Sequence, residues 1–265
     1  MVAEAPVYQY DGTFEGLLCC VFASYDRKEI PIDILPPDQA VTLLFPIEAI
    51  ATDEEKAQRV YRSIPQKIGK EALELIQKAF LTCLPQKELA ILHFLRLGYR
   101  VGPTIMNQLT EDCVDKLVKA VRFLERESHL FKGFIRFSIF AEALVAEIEP
   151  KNFVLPLLVT HFRSRYPEER FFIYDRTHQM GLIYEAYRAQ ILPIADFTMP
   201  EADAEEVKFR QLWQLFYETI EIKERHNPLC RRSQMPQRYW KYLTEFQSDV
   251  LPATRLLQLS SADLK

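Results

Sequence analysis

Residues 134–149 read FIRFSIFAEALVAEIE, and in this stretch the spacing of the apolar residues changes from a helical period to a strand period. Within 134–140 and again within 144–149, every second side chain is apolar and would lie on one face. Such alternation is typical of half-buried strands. We therefore predict a β-hairpin that turns at about Ala141.

The chain that follows the hairpin predicts the rest of a sheet. Residues 152–167 have the pattern of a helix capped by Asn152, with Pro156 tolerated in its first turn. Three more strands are predicted at 170–175, 181–186 and 188–194. Residues 132–199 are therefore predicted to form an antiparallel ββαβββ sheet layer with a helix across one face.

The region before the hairpin, residues 1–131, is predicted to be mainly helical, apart from a short strand at 7–10. Four or five helices are expected between residues 53 and 131. Their boundaries are predicted by a capping box at Thr52 and Glu55, by Pro85 and Gly98 around 87–97, by Gly102-Pro103, and by a cap at Thr110.

A C-terminal helix is predicted to begin at Asp203, which forms a capping pair with Glu206. Its helically spaced apolar residues are predicted to form a buried stripe: Phe209, Leu212, Trp213, Phe216, Tyr217 and Ile220. Residues 200–245 would pack on the sheet region, and 246–265 would form a tail. The predicted class is α+β, with a helical N-terminal half, an antiparallel sheet layer, and a C-terminal helix with a basic-aromatic segment.

Composition excludes several classes of enzyme. The chain has only 7 glycines in 265 residues, and their positions form neither a Rossmann G-x-G-x-x-G motif nor a Walker phosphate loop. The five histidines and five cysteines show no metal-ligand spacing, so no metal and no cofactor are predicted. There is also no G-x-S-x-G nucleophile motif.

The same features predict a cytoplasmic protein. The five cysteines lack the spacing of a disulfide framework and are expected to be reduced thiols. The first residues lack the basic region of a signal peptide, and no apolar stretch approaches the roughly 18 residues that a membrane helix needs. The formal net charge is -4, which argues against a polybasic protein.

A local basic bias is nevertheless present in residues 225–244, which contain five Arg or Lys side chains and no acidic side chain. Arginine binds phosphates and aromatic rings stack on unpaired bases, so this segment is a candidate nucleic-acid contact. The alternative is a structural latch, with the aromatic side chains in the core and the arginines in ion pairs. The candidate binding residues are Arg225, Asn227, Arg231, Arg232, Arg238, Tyr239, Trp240 and Lys241.

A candidate acid–base pair is formed by His161 on the predicted crossing helix and Asp175 at the end of a predicted strand. Arg165 lies one helical turn after His161, and Arg176 and His178 lie in the turn after Asp175. The two arginines are candidate phosphate ligands. The alternative is that His161 is a half-buried packing residue.

Several segments together resemble a bacterial DNA repair and DNA metabolism family built around the domain of unknown function 4130. The resemblance covers nearly the whole chain and is carried by YDGTFEGLLCCVF at 10–22, LRLGYRVG at 95–102, HFRSRYP at 161–167, FIYDRTHQMGLIY at 172–184 and LWQLFYETIEIKERHNPLCRRSQMPQRYWKYL at 212–243. Members of that family are usually encoded beside a radical-SAM protein with a helix-hairpin-helix element. Their C-terminal domain also occurs fused to uracil-DNA-glycosylase-like domains.

The resemblance implies a DNA-binding accessory protein whose partners are DNA, single strands included, and a radical-SAM helix-hairpin-helix protein. Any iron–sulfur cluster would then belong to that partner. Two alternatives stay open. One is a base- or nucleotide-processing enzyme, similar to a glycosylase or lyase, that uses His161 and Asp175. The other is a protein-interaction scaffold.

Overall fold

The chain divides into two units, Met1–Glu125 (unit 1) and Arg126–Lys265 (unit 2). The computed structural model describes residues 5–37, 45–220, 222, 225 and 227–247. Unit 1 is rich in helix and unit 2 contains a five-stranded sheet, so the fold is mixed α+β with a helical N-terminal half.

Unit 1 combines a small parallel sheet with helices. Its strands are β1 (Val7–Gln9), β2 (Asp33–Leu35) and β3 (Ile47–Ala49), and β1 lies between the other two. Its helices are α1 (Phe14–Asp26), α2 (Glu54–Lys67), α3 (Lys70–Phe80), α4 (Lys87–Val101) and the first part of α5 (Asp112–Phe134), with a 3-10 helix at Gly102–Asn107. The sequence predicted β1 and the helices after residue 53 but did not assign α1 as a helix. It also missed the sheet, because three-residue strands are too short to show alternation.

Two of the predicted helix boundaries in unit 1 are wrong for identifiable reasons. The N-cap of α2 is Asp53, because the neighbouring Thr52 hydroxyl donates a hydrogen bond to Asp11 instead. Helix α4 does not end at Gly98 but continues to Val101. Gly98 is buried, and a Cβ there would lie 2.9 Å from the side chain of Ile68, so this glycine permits close packing.

Unit 2 contains a five-stranded sheet with the order β4-β5-β6-β7-β8. The strands are β4 (Ser138–Phe140), β5 (Ala143–Ile148), β6 (Arg170–Asp175), β7 (Met180–Glu185) and β8 (Arg188–Pro193). The prediction of a wholly antiparallel sheet is wrong, because β5 and β6 pair in parallel. Helix α6 (Leu155–Arg165) joins these two strands, and a helical connection of this length is how a chain returns to start a parallel neighbour.

The predicted hairpin of β4 and β5 is confirmed, with its turn at Ala141 and Glu142. Both residues have positive φ, as do Ala186 and Tyr187 in the turn between β7 and β8. This geometry is usual for tight hairpins and normally calls for glycine or asparagine. The predicted first strand is shorter than expected, because α5 extends to Phe134.

The predicted N-cap of α6 is also wrong. Its N-cap is Val154, and no side chain caps it. Asn152 is buried, and its backbone N–H and side-chain amide both donate to Glu127, at 2.8 and 2.6 Å. Asn152 therefore secures the start of the crossing connection to α5 rather than capping the helix.

Helix α7 (Ala204–Thr219) begins after the predicted N-cap Asp203, but the prediction that its apolar stripe is buried is wrong. Five of the six stripe residues are between 39% and 57% exposed: Phe209, Leu212, Trp213, Phe216 and Ile220. Only Tyr217 is partly buried, with its ring 5.8 Å from Phe246. The contacts of α7 are largely polar, because Glu206 accepts from the Ile139 amide and Gln214 donates to the carbonyl oxygens of Thr244 and Gln247.

The basic-aromatic segment forms one short helix and two 3-10 helices. These are α8 (Pro228–Gln234), Gln237–Tyr242 and Thr244–Phe246. Most of the predicted tail, residues 248–265, lies outside the described residues.

Candidate nucleic-acid interface

Unit 2 contains a groove formed by two adjoining cavities that share Arg136, Arg210 and Thr244. The cavity volumes are about 260 and 470 Å³. The walls come from the start of the sheet, the C-terminal end of α6, the first half of α7 and the 3-10 helices after α8. We call it the basic groove, because five cations line it: Arg136, Arg165, Arg176, Arg210 and Lys241.

Four of the five cations in the basic groove contact a carboxylate. Arg136 pairs with Glu245 at 2.8 Å, Arg176 with Glu147 at 2.7 Å, Arg210 with Glu206 at 2.8 Å, and Lys241 with Glu149. The carboxylates orient the cations and compensate most of their charge. Each guanidinium has five N–H donors, so the single hydrogen bond from Arg176 to Glu147 leaves donors for a ligand.

Arg165 has no carboxylate partner within the part of the chain that the structure describes. It is exposed, its Nε donates to the Tyr166 hydroxyl at 3.2 Å, and its guanidinium lies 5.6 Å from the Tyr166 ring centroid. The charge of Arg165 also acts on a neighbouring side chain: burial, together with the positive charges of Lys132 and Arg165, lowers the pKa of His161. Arg165 is therefore the cation of the groove that is most available to an anionic ligand.

Glu245 connects the C-terminal segment to α7 and to the residues before β4. Its side chain is 1% exposed and accepts hydrogen bonds from Arg136 and from the Trp213 indole nitrogen, the latter at 2.9 Å. Burial acts to raise the pKa of Glu245, but hydrogen bonds from Arg136 and Trp213 outweigh it and hold this pKa below its usual value. The carboxylate is charged at neutral pH and fixes the Trp213 indole in the groove.

Aromatic side chains line the same groove and remain open to solvent. Phe209 and Trp213 of α7 are 54% and 39% exposed, and Tyr166 adjoins Arg165. Exposed rings can stack on unpaired bases, while arginine binds the phosphates between them. The basic groove thus brings together the two kinds of side chain that single-stranded nucleic acid requires.

The predicted binding residues of the basic-aromatic segment separate into those that hold the fold and those that face solvent. Arg238 donates to Glu127 at 2.8 Å, and the Glu127 side chain is fully buried. Tyr239 is 3% exposed, with its ring centroid 5.0 Å from that of Phe131. These two residues act as a structural latch, as the alternative interpretation of the segment proposed.

Other residues of the segment also have structural contacts. Asn227 caps α8 by accepting from the Cys230 amide at 3.0 Å. Trp240 stacks on Phe246 with ring centroids 4.5 Å apart, and the Arg231 guanidinium lies 5.4 Å from the Trp240 ring. These side chains stabilise one another, and none of them lines the basic groove.

Arg225 and Arg232 are exposed and form no ion pair with any described residue. Lys241 is the predicted residue that lines the basic groove from this segment. Of the predicted phosphate ligands, both Arg165 and Arg176 line the groove, on its two adjoining cavities. The structure thus brings three predicted residues together in the basic groove, whereas the exposed Arg225 and Arg232 do not line it.

The predicted pair of His161 and Asp175 has no hydrogen bond in the described part of the chain. Asp175 is buried and accepts instead from the His178 amide at 3.1 Å, and its second oxygen lies 2.7 Å from His178 Nδ1. His161 Nε2 is buried and has no hydrogen-bond partner there. Among the described residues of this unit, the carboxylate–imidazole pair is therefore Asp175–His178.

Sequence reasoning missed Arg136, Arg210 and Trp213 as groove residues, and it missed Glu245 as the acceptor that holds two of them. Arg136 did carry a signal, since it is the charged residue in an otherwise apolar alternating stretch. Trp213 had been placed in the core by the helical period of α7, and the period alone does not show which face of a helix is covered. Glu245 is brought to Arg136 over 109 positions in sequence, which local pattern cannot show.

Within the described ranges, no helix is both long enough and apolar enough to cross a membrane, and no three His, Cys, Asp or Glu side chains are grouped to hold a metal ion. Comparison with curated proteins and with solved structures found no match. Residues 85–245 match the domain of unknown function DUF4130, a span that begins just before α4 and ends at Glu245. Because this match covers more than half of the sequence, the chain belongs to the DUF4130 family.

Proposed function

We propose that this protein binds single-stranded DNA through the basic groove, as an accessory protein of DNA metabolism. The observation that carries the proposal is the position of Arg165, a cation without a carboxylate partner in the described chain, in a groove with exposed aromatic rings. Arg165 and Arg176 would bind phosphates, and Trp213 and Phe209 would stack on bases.

A single strand suits this groove better than a duplex. The bases of a duplex are already stacked on one another, whereas Phe209 and Trp213 offer ring faces that only unpaired bases can use. The paired cations support a moderate affinity, because a phosphate at Arg176 or Lys241 has to compete with Glu147 or Glu149.

The resemblance to a DNA repair and DNA metabolism family extends the proposal to a partner. Members of the family that this chain resembles are usually encoded beside a radical-SAM protein with a helix-hairpin-helix element. We propose that such a protein acts on the DNA that this chain binds, and that the partner supplies the chemical step.

The test is a titration of labelled single-stranded and double-stranded DNA at two chloride concentrations, with and without the radical-SAM protein. We expect Arg165→Ala to weaken single-strand binding about fivefold and to reduce the slope of log K against log salt by about 0.7, since one phosphate contact is lost. Arg163→Ala is the matched control, because Arg163 is an exposed arginine on the same helix outside the groove. Equal effects of the two variants would contradict the proposal.

The same titration can separate the groove from the exposed part of the basic-aromatic segment. If the groove is the site, the double variant Arg225→Ala, Arg232→Ala binds the single strand nearly as the unmodified protein does. If instead this double variant loses binding and Arg165→Ala does not, the contact lies on the segment and the groove proposal is wrong. Arg238 is unsuitable for this purpose, because its loss leaves the buried Glu127 carboxylate short of a partner.

A second candidate function is acid–base catalysis on a base or nucleotide, and the Asp175–His178 contact favours it. The Asp175 side chain is 0% exposed and that of His178 is 29% exposed, so a buried carboxylate orients an imidazole that solvent can reach. We expect His178→Gln to abolish any glycosylase or lyase activity on DNA containing a modified base, and His161→Gln to retain it. Activity that survives His178→Gln would contradict this candidate.

A further inference from the structure

Unit 1 has a cavity of its own, remote in sequence from the residues of the basic groove. It has a volume of about 480 Å³ and lies between the C-terminal end of α1 and the exposed face of α4. This volume falls in the range of small-molecule sites. We call it the tyrosine pocket, and the residues that matter to it are Tyr25, Ile30, His93, Arg96, Tyr99 and Arg100.

Two aromatic rings form the apolar part of the tyrosine pocket. Tyr25 and Tyr99 pack edge to face, with ring centroids 5.7 Å apart and an angle of 85°. The hydroxyl of Tyr99 is 2.6 Å from the hydroxyl of Ser63, which fixes its ring, while Tyr25 remains 42% exposed. The Arg96 guanidinium lies 4.7 Å from the Tyr25 ring centroid. A planar group can stack against rings and guanidinium groups arranged in this way.

The tyrosine pocket is positively charged, and none of the described residues that line it carries a carboxylate. Within the part of the chain that the structure describes, Arg96 donates to neutral acceptors, which are the carbonyl oxygen and hydroxyl of Ser24 at 3.2 Å and the carbonyl oxygen of Glu29 at 3.4 Å. The carboxylate of Glu29 is occupied by the Tyr8 hydroxyl, at 2.6 Å, and lies 3.7 Å from Arg27. An anion in the pocket would therefore meet an uncompensated cation.

Arg100 adds a second cation to the tyrosine pocket. It is exposed, and it has no hydrogen bond or ion pair with any residue that the structure describes. Its place in the last turn of α4 gives it a favourable interaction with the helix dipole, but this interaction does not need a guanidinium. Burial and the positive charge of Arg96 lower the pKa of His93, so this imidazole is neutral at pH 7 and can donate or accept a hydrogen bond.

We propose that the tyrosine pocket binds a nucleotide, with the base against the Tyr25 side of the pocket and the phosphate at Arg100 and Arg96. The same chemistry could be presented by a free mononucleotide or by one nucleotide of a single strand. The tyrosine pocket is a separate site from the basic groove, because the two share no residue. The two sites also differ in their electrostatics, since four of the five cations of the groove are paired with carboxylates.

The test is isothermal titration of the full-length protein with 5′-AMP, adenosine and inorganic phosphate. We expect AMP to bind about tenfold more tightly than either fragment, because only AMP engages both the rings and the arginines. We expect Arg100→Ala and Tyr25→Leu each to weaken AMP binding about tenfold, while Arg100→Lys and Tyr25→Phe retain part of it. Arg122→Ala, an exposed arginine of unit 1 outside the pocket, is the matched control.

A labelled oligothymidine distinguishes the two sources of the nucleotide. If the pocket serves a strand, Arg100→Ala weakens oligonucleotide binding as well as AMP binding. If it serves a free nucleotide, Arg100→Ala affects AMP alone. Arg165→Ala leaves AMP binding unchanged in both cases, so a failure of the groove proposal is separable from a failure of this one.

Two results would overturn the inference. One is the absence of AMP binding together with oligonucleotide binding that is insensitive to Arg100→Ala. The other is AMP binding that Arg100→Ala and Tyr25→Leu leave unchanged. Far-ultraviolet circular dichroism of each variant shows whether it is folded, and the conservative variants Arg100→Lys and Tyr25→Phe keep the test valid if a larger change unfolds the unit.

Discussion

Helices α4 and α7 both carry a regular apolar stripe. Helix α4 packs through this stripe, whereas α7 packs through its polar face. In α4 the stripe is buried, with Leu92, Phe94 and Leu95 at 0% exposure. In α7 the stripe faces solvent, and Glu206 is the buried residue of the helix. The comparison teaches that helical periodicity locates an apolar face reliably but does not say whether the protein itself covers that face.

The difference follows from what each helix meets. α4 belongs to the apolar cluster of unit 1, in which side chains from α1, α2 and α3 surround it. α7 meets backbone groups and charged side chains, so Glu206 and Gln214 supply its contacts through hydrogen bonds. Apart from Tyr217, the residues of its apolar stripe are left to line the basic groove, as Phe209 and Trp213 do, or to face solvent.

The largest expected effect compares one phenylalanine from each helix. Phe94→Ala in α4 removes a fully buried ring and is expected to lower the free energy of unfolding by about 4 kcal/mol. Phe216→Ala in α7, where the side chain is 52% exposed, is expected to change it by no more than about 0.5 kcal/mol. Urea unfolding followed by circular dichroism measures both. Similar losses would mean that α7 is as well covered as α4.

The next effect probes the polar contacts of unit 2. Glu245→Ala leaves Arg136 and the Trp213 indole without their shared acceptor and is expected to cost about 2–3 kcal/mol. Both tryptophans of the chain lie in unit 2, so tryptophan fluorescence reports the unfolding of this unit. Glu218→Ala, at an exposed position of α7, is the control and should be neutral. If the two variants are equally stable, apolar contacts hold α7 after all.

A smaller effect is expected from pH. The folded protein holds the pKa of Glu245 below its ordinary value of about 4.5, so the unfolded state binds a proton more readily. The corresponding stability is present at pH values above that ordinary pKa and is lost as the pH falls through the folded pKa. We expect the fluorescence-detected free energy of unfolding to fall more steeply below pH 4.5 in the unmodified protein than in Glu245→Gln. Identical slopes would show that Glu245 does not contribute to the pH dependence of the free energy of unfolding.

The smallest expected change in stability comes from making the α7 stripe polar. Phe216→Gln and Leu212→Gln should leave the free energy of unfolding within about 0.5 kcal/mol of the original value, because neither side chain is covered. We expect the double variant to remain dispersed at protein concentrations at which the unmodified chain begins to associate. Light scattering measures this difference. A marked loss of stability would show that the stripe is buried in solution.

Much of the fold could be predicted from sequence, since local signals set it. The turn at Ala141 and the three strands after α6 were found from alternation and turn residues. The parallel pairing of β5 with β6 was not, because a helix between two strands is compatible with more than one return path. The three-stranded sheet of unit 1 was also missed, since its strands have three residues each.

The site was predictable only in part, for a related reason. Arg165 and Arg176 were singled out by their positions near His161 and Asp175, and Lys241 by the local basic bias of its segment. The partners that decide their availability, such as Glu147 and Glu149, come from β5 and the residue after it, and only tertiary structure places them. The same holds for Asp175, whose partner proved to be His178 instead of His161.

Salts act on this protein in two ways, one at the basic groove and one at the uncovered stripe of α7. Under the proposed function, added salt weakens phosphate contacts at the groove, because the release of counterions from the nucleic acid is less favourable at high salt. Sulfate and phosphate, which are excluded from protein surfaces, strengthen the burial of apolar area and so favour self-association through Phe209, Phe216 and Ile220. Purification in ammonium sulfate would therefore select clustered material, and under the proposed function a loss of DNA binding in such a buffer would combine this self-association with the electrostatic weakening.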